Sequence, residues 1–165
     1  MRNIVFIGMM GCGKTAISKM LAERLVRPWY DCDEEIEKGE NMSISGIFSQ
    51  KGEAYFRQKE SECIRNLSEK QGAVISTGGG VVLNGENITL LKNNGFIIYL
   101  RRSVESIVST LQSETRPLLR NNPNALYELY EKRYTLYERY SDIIIDNEGS
   151  KEQTLQILLE ALPCL

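Results

Sequence analysis

Residues 8–15 read Gly8-Met9-Met10-Gly11-Cys12-Gly13-Lys14-Thr15, a G-x-x-x-x-G-K-T stretch between two differently patterned segments. Before it, Asn3-Ile4-Val5-Phe6-Ile7 is almost wholly apolar and β-prone, which predicts a buried parallel strand. After it, Ala16, Ile17, Met20, Leu21 and Leu25 recur at helical spacing, which predicts a helix running to about Leu25. Strand, glycine-rich loop and helix in that order form the setting in which this motif cradles a nucleoside triphosphate. Glycines let successive backbone N–H groups turn inward around a phosphate, and the helix N-terminus adds unpaired N–H groups and a positive dipole end. Gly11, Cys12, Gly13, Lys14, Thr15 and Ala16 are therefore the candidate nucleotide-binding residues. Lys14 is placed to reach the β- and γ-phosphates, and the Thr15 hydroxyl to hold Mg²⁺.

Such a loop needs a parallel sheet behind it, and the chain supplies one. Trp29-Tyr30 predicts a short second strand that ends at Asp31-Cys32-Asp33, after a break at Arg27-Pro28. Glu34 to Lys38 reads as a turn of helix, Ser43 to Phe48 as a short capped helix, and Gly52-Glu53 as the opening of a longer one. Ala73 to Thr77 reads as a third strand running straight into Gly78-Gly79-Gly80. Asn84 to Asn94 is a helix with Gly95 as its C-cap, and Phe96 to Leu100 a fourth strand. Ser103 caps a helix through about Thr110, and Leu111 to Pro123 is a polar excursion from the core. Ala125 to Tyr140 is a long helix, Asp142 to Ile145 a fifth strand, and Lys151 to Leu162 a closing helix. Alternating strands and helices imply an α/β fold of three layers, with a five-stranded parallel sheet covered on both faces. At 165 residues the chain fits a single domain.

Composition narrows the chemistry. The net charge is −2, which argues against nucleic acid or an anionic membrane as the main partner. No stretch approaches the roughly 20 apolar residues of a membrane span, and Met1-Arg2-Asn3 leads straight into the first strand rather than a signal peptide. Cys12, Cys32, Cys63 and Cys164 are widely spaced, which suits reduced thiols in the cytoplasm. There is no histidine, so every Ser-His, Cys-His or His-metal mechanism is excluded. A general base must be a carboxylate, and a cation at the transition state must be Lys, Arg or Mg²⁺.

Ligands of open parallel sheets bind outside the carboxyl ends of the strands. The phosphate loop, Asp31 and Asp33, and the glycine triplet each follow a strand, so they should converge on one cleft. Two aspartates two apart on extended backbone point to the same side, suiting one to Mg²⁺ and the other to a substrate hydroxyl. A solvated acidic turn is the competing reading, since Glu34, Glu35 and Glu37 follow. Gly78, Gly79 and Gly80 allow a ligand close to the backbone, or a plain flexible turn. Arg57 and Arg133, by residue type alone, are better explained as surface arginines.

Taken together, Gly8 to Thr15, Asp31-x-Asp33-x-x-Ile36-Glu37, Ile47-Phe48-x-x-x-Gly52-Glu53-x-x-Phe56-Arg57-x-x-Glu60, Gly78-Gly79-Gly80, Arg116-Pro117-Leu118-Leu119 and Arg133-x-x-x-Tyr137 resemble the shikimate kinase family. The resemblance spans nearly the whole chain. It implies a fold like that of nucleoside monophosphate kinases, with a substrate-binding helical region at about 31–60 and a lid at about 111–123. It also implies ATP-dependent phosphorylation of the shikimate 3-hydroxyl, on the route to chorismate and the aromatic amino acids, by a monomer. Carried over, Lys14 is the phosphate lysine, Thr15 and Asp31 hold Mg²⁺, and Asp33 binds shikimate hydroxyls and takes the proton. Arg57 and Arg133 grip the carboxylate, Gly78, Gly79 and Gly80 line the ring, and Arg116 reaches the transferring phosphate. Two arginines suit a small carboxylate because guanidinium binds it bidentately.

The chain departs from the family in one respect. Members often carry an arginine just before R-P-L-L that stacks on adenine, and Ser109 to Glu114 contains none. Other lid residues or the segment Asn147 to Ser150 then fall to base recognition. The rival readings are a kinase of the same fold acting on gluconate or a nucleoside monophosphate, a GTP-driven switch, and an inert nucleotide-binding module. The absence of N-K-x-D weighs against the switch, and retention of Lys14, Asp31, Asp33 and Arg116 against the inert module.

Overall fold

The computed structural model describes residues 1–113 and 122–162. Arg116, with the rest of Arg116-Pro117-Leu118-Leu119, most of the expected lid, and Cys164 lie outside the described residues.

Five strands form one parallel sheet: β1 (Asn3–Ile7), β2 (Trp29–Asp31), β3 (Val74–Ser76), β4 (Gly95–Arg101) and β5 (Ile143–Asp146), in the order β2-β3-β1-β4-β5. Every residue of β1 and β3 is buried, as expected of central strands covered on both faces. The register sets Val5 against Ile75 on one side and Ile97 on the other. Each such Ile or Val removed from water contributes roughly 1.5–3 kcal/mol.

The helices are α1 (Lys14–Leu25), α2 (Cys32–Glu40), α3 (Ile44–Ser68), α4 (Gly85–Asn94), α5 (Val104–Ser113), α6 (Pro123–Tyr140) and α7 (Lys151–Ala161). α1 packs on β1, β2 and β3 and against α7, while α4 packs on β4 and against α3. α1 carries the chain toward β2, whereas the chain leaving β3 crosses to β4. The crevice at the carboxyl ends of adjacent β1 and β3 is thus the switch point where such sheets take ligands. Thr77 closes its floor: its hydroxyl and its N–H both donate to Phe6 O, at 2.8 and 3.2 Å.

Several local expectations change in detail. The strand does not run to Asp33. It ends at Asp31, whose side chain caps α2, so Asp33 lies in the first helical turn rather than on extended backbone. Capping wins because Asp31 accepts from the N–H groups of Asp33 and Glu34, at 3.0 and 3.3 Å, just where a helix has orphan donors. Gly95 is not a left-handed C-cap: it is extended (φ −126°, ψ 155°) and is the first residue of β4. Its missing side chain makes room for Leu91 O and for Val5. The two helices expected around Gly52 are the arms of α3, kinked at Gly52 with φ 83° and ψ 170°. Ser43 caps the first arm by accepting from Gly46 N at 3.1 Å. The glycine triplet leads into a 3₁₀ turn, Val81–Leu83, before α4, and the helix capped by Ser103 continues to Ser113.

Candidate functional site

The phosphate loop leaves β1 through Gly8, Gly11 and Gly13, at φ 147°, 76° and 101°, and enters α1 at Lys14. The Lys14 side chain folds back and its ammonium donates to Gly8 O and Met9 O, each at 2.8 Å. Lys14 is buried and has no ion pair among the described residues, so its charge is held at the loop by carbonyl dipoles. Asn147, just after β5, clamps the loop from outside. Its amide donates to Cys12 O at 2.8 Å and accepts from Thr154 Oγ1 at 2.7 Å.

Thr15 Oγ1 donates to Asp31 Oδ2 at 2.8 Å. That bond uses the hydroxyl proton and leaves the oxygen lone pairs free. A hydroxyl and a carboxylate beside a phosphate loop form the hard-oxygen donor set that Mg²⁺ takes together with waters and phosphate oxygens. Among the described residues no three His, Cys, Asp or Glu side chains cluster as a metal cage.

In the first turn of α2, Asp33 faces the glycine triplet. A Cβ on Gly78 would meet Asp33 Oδ1 at 3.0 Å and Glu60 Oε1 at 2.9 Å, so glycine there lets two carboxylates approach the backbone. Both oxygens are buried and have no hydrogen-bond partner among the described residues. Burial, chiefly, with the nearby charge of Asp31 pushes Asp33 up from 3.8 to about 6, although Lys14 pulls the other way. Burial also raises Glu60, against the lowering influence of Arg57 and Arg133.

The far wall is cationic. Arg57, in the second arm of α3, donates to Glu60 Oε2 at 2.8 Å and pairs with Glu53 at 3.4 Å. Its guanidinium occupies the space where Gly80 would carry a side chain. Arg133 on α6 is buried, with Nη1 3.7 Å from the Cβ position of Gly79, which itself lies 3.2 Å from Met10 N of the phosphate loop. One turn further, Tyr137 is fully buried, stacks on Tyr99 at 5.1 Å, and donates to Gly79 O at 2.5 Å. Arg133 lies one turn earlier on the same helix, so α6 brings the triplet and the arginine together.

The fold thus gathers Lys14, Thr15, Asp31, Asp33, Arg57, Arg133 and Gly78 to Gly80 about one cleft. Arg116 is outside the described residues. Tyr137 enters the sequence reading only through the Arg133-x-x-x-Tyr137 motif and Asn147 only through a base-recognition segment, neither with the bracing role found here, and Arg102 is not singled out at all. Arg102 reaches the loop from the end of β4, with Nη1 3.4 Å from Gly11 O and Nη2 donating to Thr110 Oγ1 at 2.8 Å. Two adjacent arginines after an apolar strand were its only signal.

Known proteins carry the same plan. The family model described as shikimate kinase matches residues 10–163. The shikimate kinase of Thermodesulfovibrio yellowstonii is 47% identical over 152 residues, covering 90% of this chain and 87% of the relative. That of Clostridium botulinum (strain Alaska E43 / Type E3) is 40% identical over 157 residues, 94% of each. A solved structure of shikimate kinase from Acinetobacter baumannii, in complex with shikimate, superposes with a TM-score of 0.90 at 33% identity, covering 99% of this chain and 94% of that one. With the match running from the phosphate loop to the closing helix, this chain belongs to the shikimate kinase family.

Proposed function

We propose that the chain transfers the γ-phosphoryl group of ATP to the 3-hydroxyl of shikimate, with the cleft between the β1 and β3 loops as the reaction site. The carrying observation is the pairing of a carboxylate, Asp33, with two guanidinium groups, Arg57 and Arg133, around a glycine triplet that touches the phosphate loop. An acceptor that fits must offer a hydroxyl toward Asp33 and a carboxylate toward the arginines. A nucleoside monophosphate offers no such carboxylate.

The loop N–H groups and Lys14 bind the β- and γ-phosphates. Thr15 and Asp31 would hold Mg²⁺, which neutralises phosphate charge when bound. Asp33 orients the attacking hydroxyl and accepts its proton, and at a pKa of about 6 it is both ionised near neutrality and basic enough for that task. Arg57, steadied by Glu60, and Arg133, held in place by its burial, grip the carboxylate so that the hydroxyl lines up with the phosphorus. Arg116 adds positive charge to the transferring phosphoryl as the lid closes and water leaves. The described members of the constellation come from one copy of the chain, so a monomer suffices for the proposed reaction. No helix among the described residues is long and apolar enough to cross a membrane, and Cys12, Cys32 and Cys63 are free thiols, which supports a cytoplasmic enzyme.

The test is ADP release from Mg·ATP with shikimate, gluconate, AMP or CMP as acceptor. Turnover with shikimate alone is expected. Turnover with a different acceptor, or hydrolysis without any, overturns the assignment.

A further inference from the structure

Two cysteines that the reaction does not use lie together behind the site. Cys32 is the first residue of α2, fully buried, between Asp31 and Asp33. Cys63 is on α3, one turn beyond Glu60 and half-buried. The Cys63 thiol donates to Cys32 O at 3.7 Å, which sets the two cysteines against each other across α2 and α3. A cavity of about 350 Å³ between α2 and α3, lined by Ile36, Glu40, Lys59, Glu62, Cys63 and Leu67 among others, opens Cys63 to small solutes. Cys32 is not on its wall.

We propose that Cys63 and Cys32 are a redox modification site: a small hydroperoxide entering this cavity converts the pair to a disulfide that weakens acceptor binding. The Cys63 sulfur attacks one peroxide oxygen, so an S–O bond forms as the O–O bond breaks. The thiol proton passes to the departing alkoxide, which leaves as an alcohol. The Cys32 sulfur then attacks the Cys63 sulfur. The S–S bond forms, the S–O bond breaks, and hydroxide leaves as water with the Cys32 proton. The two thiols supply two electrons, and the peroxide is reduced to alcohol and water.

The consequence for the site follows from connectivity. Cys32 is flanked by the residue that caps α2 and bonds Thr15, and by the residue that faces Gly78. Cys63 shares its helix with Arg57 and Glu60. A disulfide holds Cβ atoms about 3.5–4.5 Å apart, tighter than two thiols in contact. Drawing α2 onto α3 moves Asp33 relative to Arg57 and Glu60, so the KM for the acceptor rises. This part rests on the acceptor-site reading above.

The test uses the full chain with Cys164→Ser, reduced and then exposed to hydrogen peroxide. Intact mass should fall by two hydrogens, and peptide mapping should recover Cys32 linked to Cys63. Turnover at shikimate concentrations below KM should fall, through a raised KM for shikimate, and should return with dithiothreitol. Cys63→Ser should keep untreated turnover and resist peroxide, while Cys32→Ala should leave a sulfenic acid on Cys63 that dimedone traps. Oxidation confined to Cys12, or a Cys32–Cys63 disulfide that leaves turnover unchanged, overturns the proposal. A reduced chain that phosphorylates no shikimate counts against the acceptor reading instead, because mass and mapping judge the thiol pair independently.

Discussion

Asp33 carries a cost when no ligand is bound. The folded chain keeps its proton up to a pH of about 6, whereas the unfolded chain releases it near 3.8. Between those values the native state binds more protons, so stability falls as pH rises through that window and stays lower above it. Asp33→Asn should therefore make the ligand-free protein more stable than the parent at pH 7, by on the order of 1–3 kcal/mol, with the gap closing below pH 3.8. Urea unfolding at the two pH values checks this. The same variant should lose on the order of 10² or more in turnover, as expected for a removed proton acceptor. Parent turnover should fall as pH drops through about 6, when the carboxylate is neutralised. Arg133 tests the opposite wall. Arg133→Ala should raise the KM for shikimate by roughly 10–100-fold, the value of a charged hydrogen bond, and leave that for ATP nearly unchanged. Steady-state kinetics in both substrates separates the two effects.

Among the elements, α3 shows how one glycine aims a site. Its kink at Gly52 requires a positive φ, yet a Cβ there would meet nothing within 4 Å. The cost of Gly52→Ala is thus purely conformational, about 1–2 kcal/mol, and should appear as a lower urea midpoint. Because the second arm carries Glu53, Arg57 and Glu60, the KM for shikimate should rise as well. Patterning located this break, since Ser43 to Phe48 and the stretch after Gly52 read as separate helices. It did not locate the end of β2. Extended backbone at Asp33 and a helix capped by Asp31 are both compatible with Asp-Cys-Asp, and the hydrogen bonds made by Asp31 decide between them. Gly95 is similar. A glycine after a helix suggests a left-handed cap, but packing against Leu91 and Val5 holds it extended.

For the molecule as a whole, the loops after β1 and β3 meet at a single crevice because those strands are neighbours in the sheet. Ligands in that crevice touch α1, α2, α3 and α6 at once, so they should stabilise the entire fold. At about 100 times its dissociation constant a ligand adds about 2.7 kcal/mol, which corresponds to roughly 5–10 °C in Tm for a chain of this size. Thermal scans with shikimate, and with ATP in the presence or absence of Mg²⁺, should show that shift. Excess EDTA should abolish phosphoryl transfer.

The chain's own sequence determined the phosphate loop, the alternation of strands and helices, and the residue types able to do acid–base and anion-binding work without histidine. Those signals are local: a glycine spacing, an apolar run or an aspartate after a strand can be read within a dozen residues. Only the tertiary structure decided that Glu60 steadies Arg57, that Tyr137 holds Gly79, that Asn147 clamps Cys12, and that Cys63 reaches Cys32. Most of these pairs join segments 31 to 135 residues apart, and Glu60, only a turn from Arg57, gains its role from its burial against Gly78. Their contacts depend on strand order and helix packing, which local periodicity does not encode.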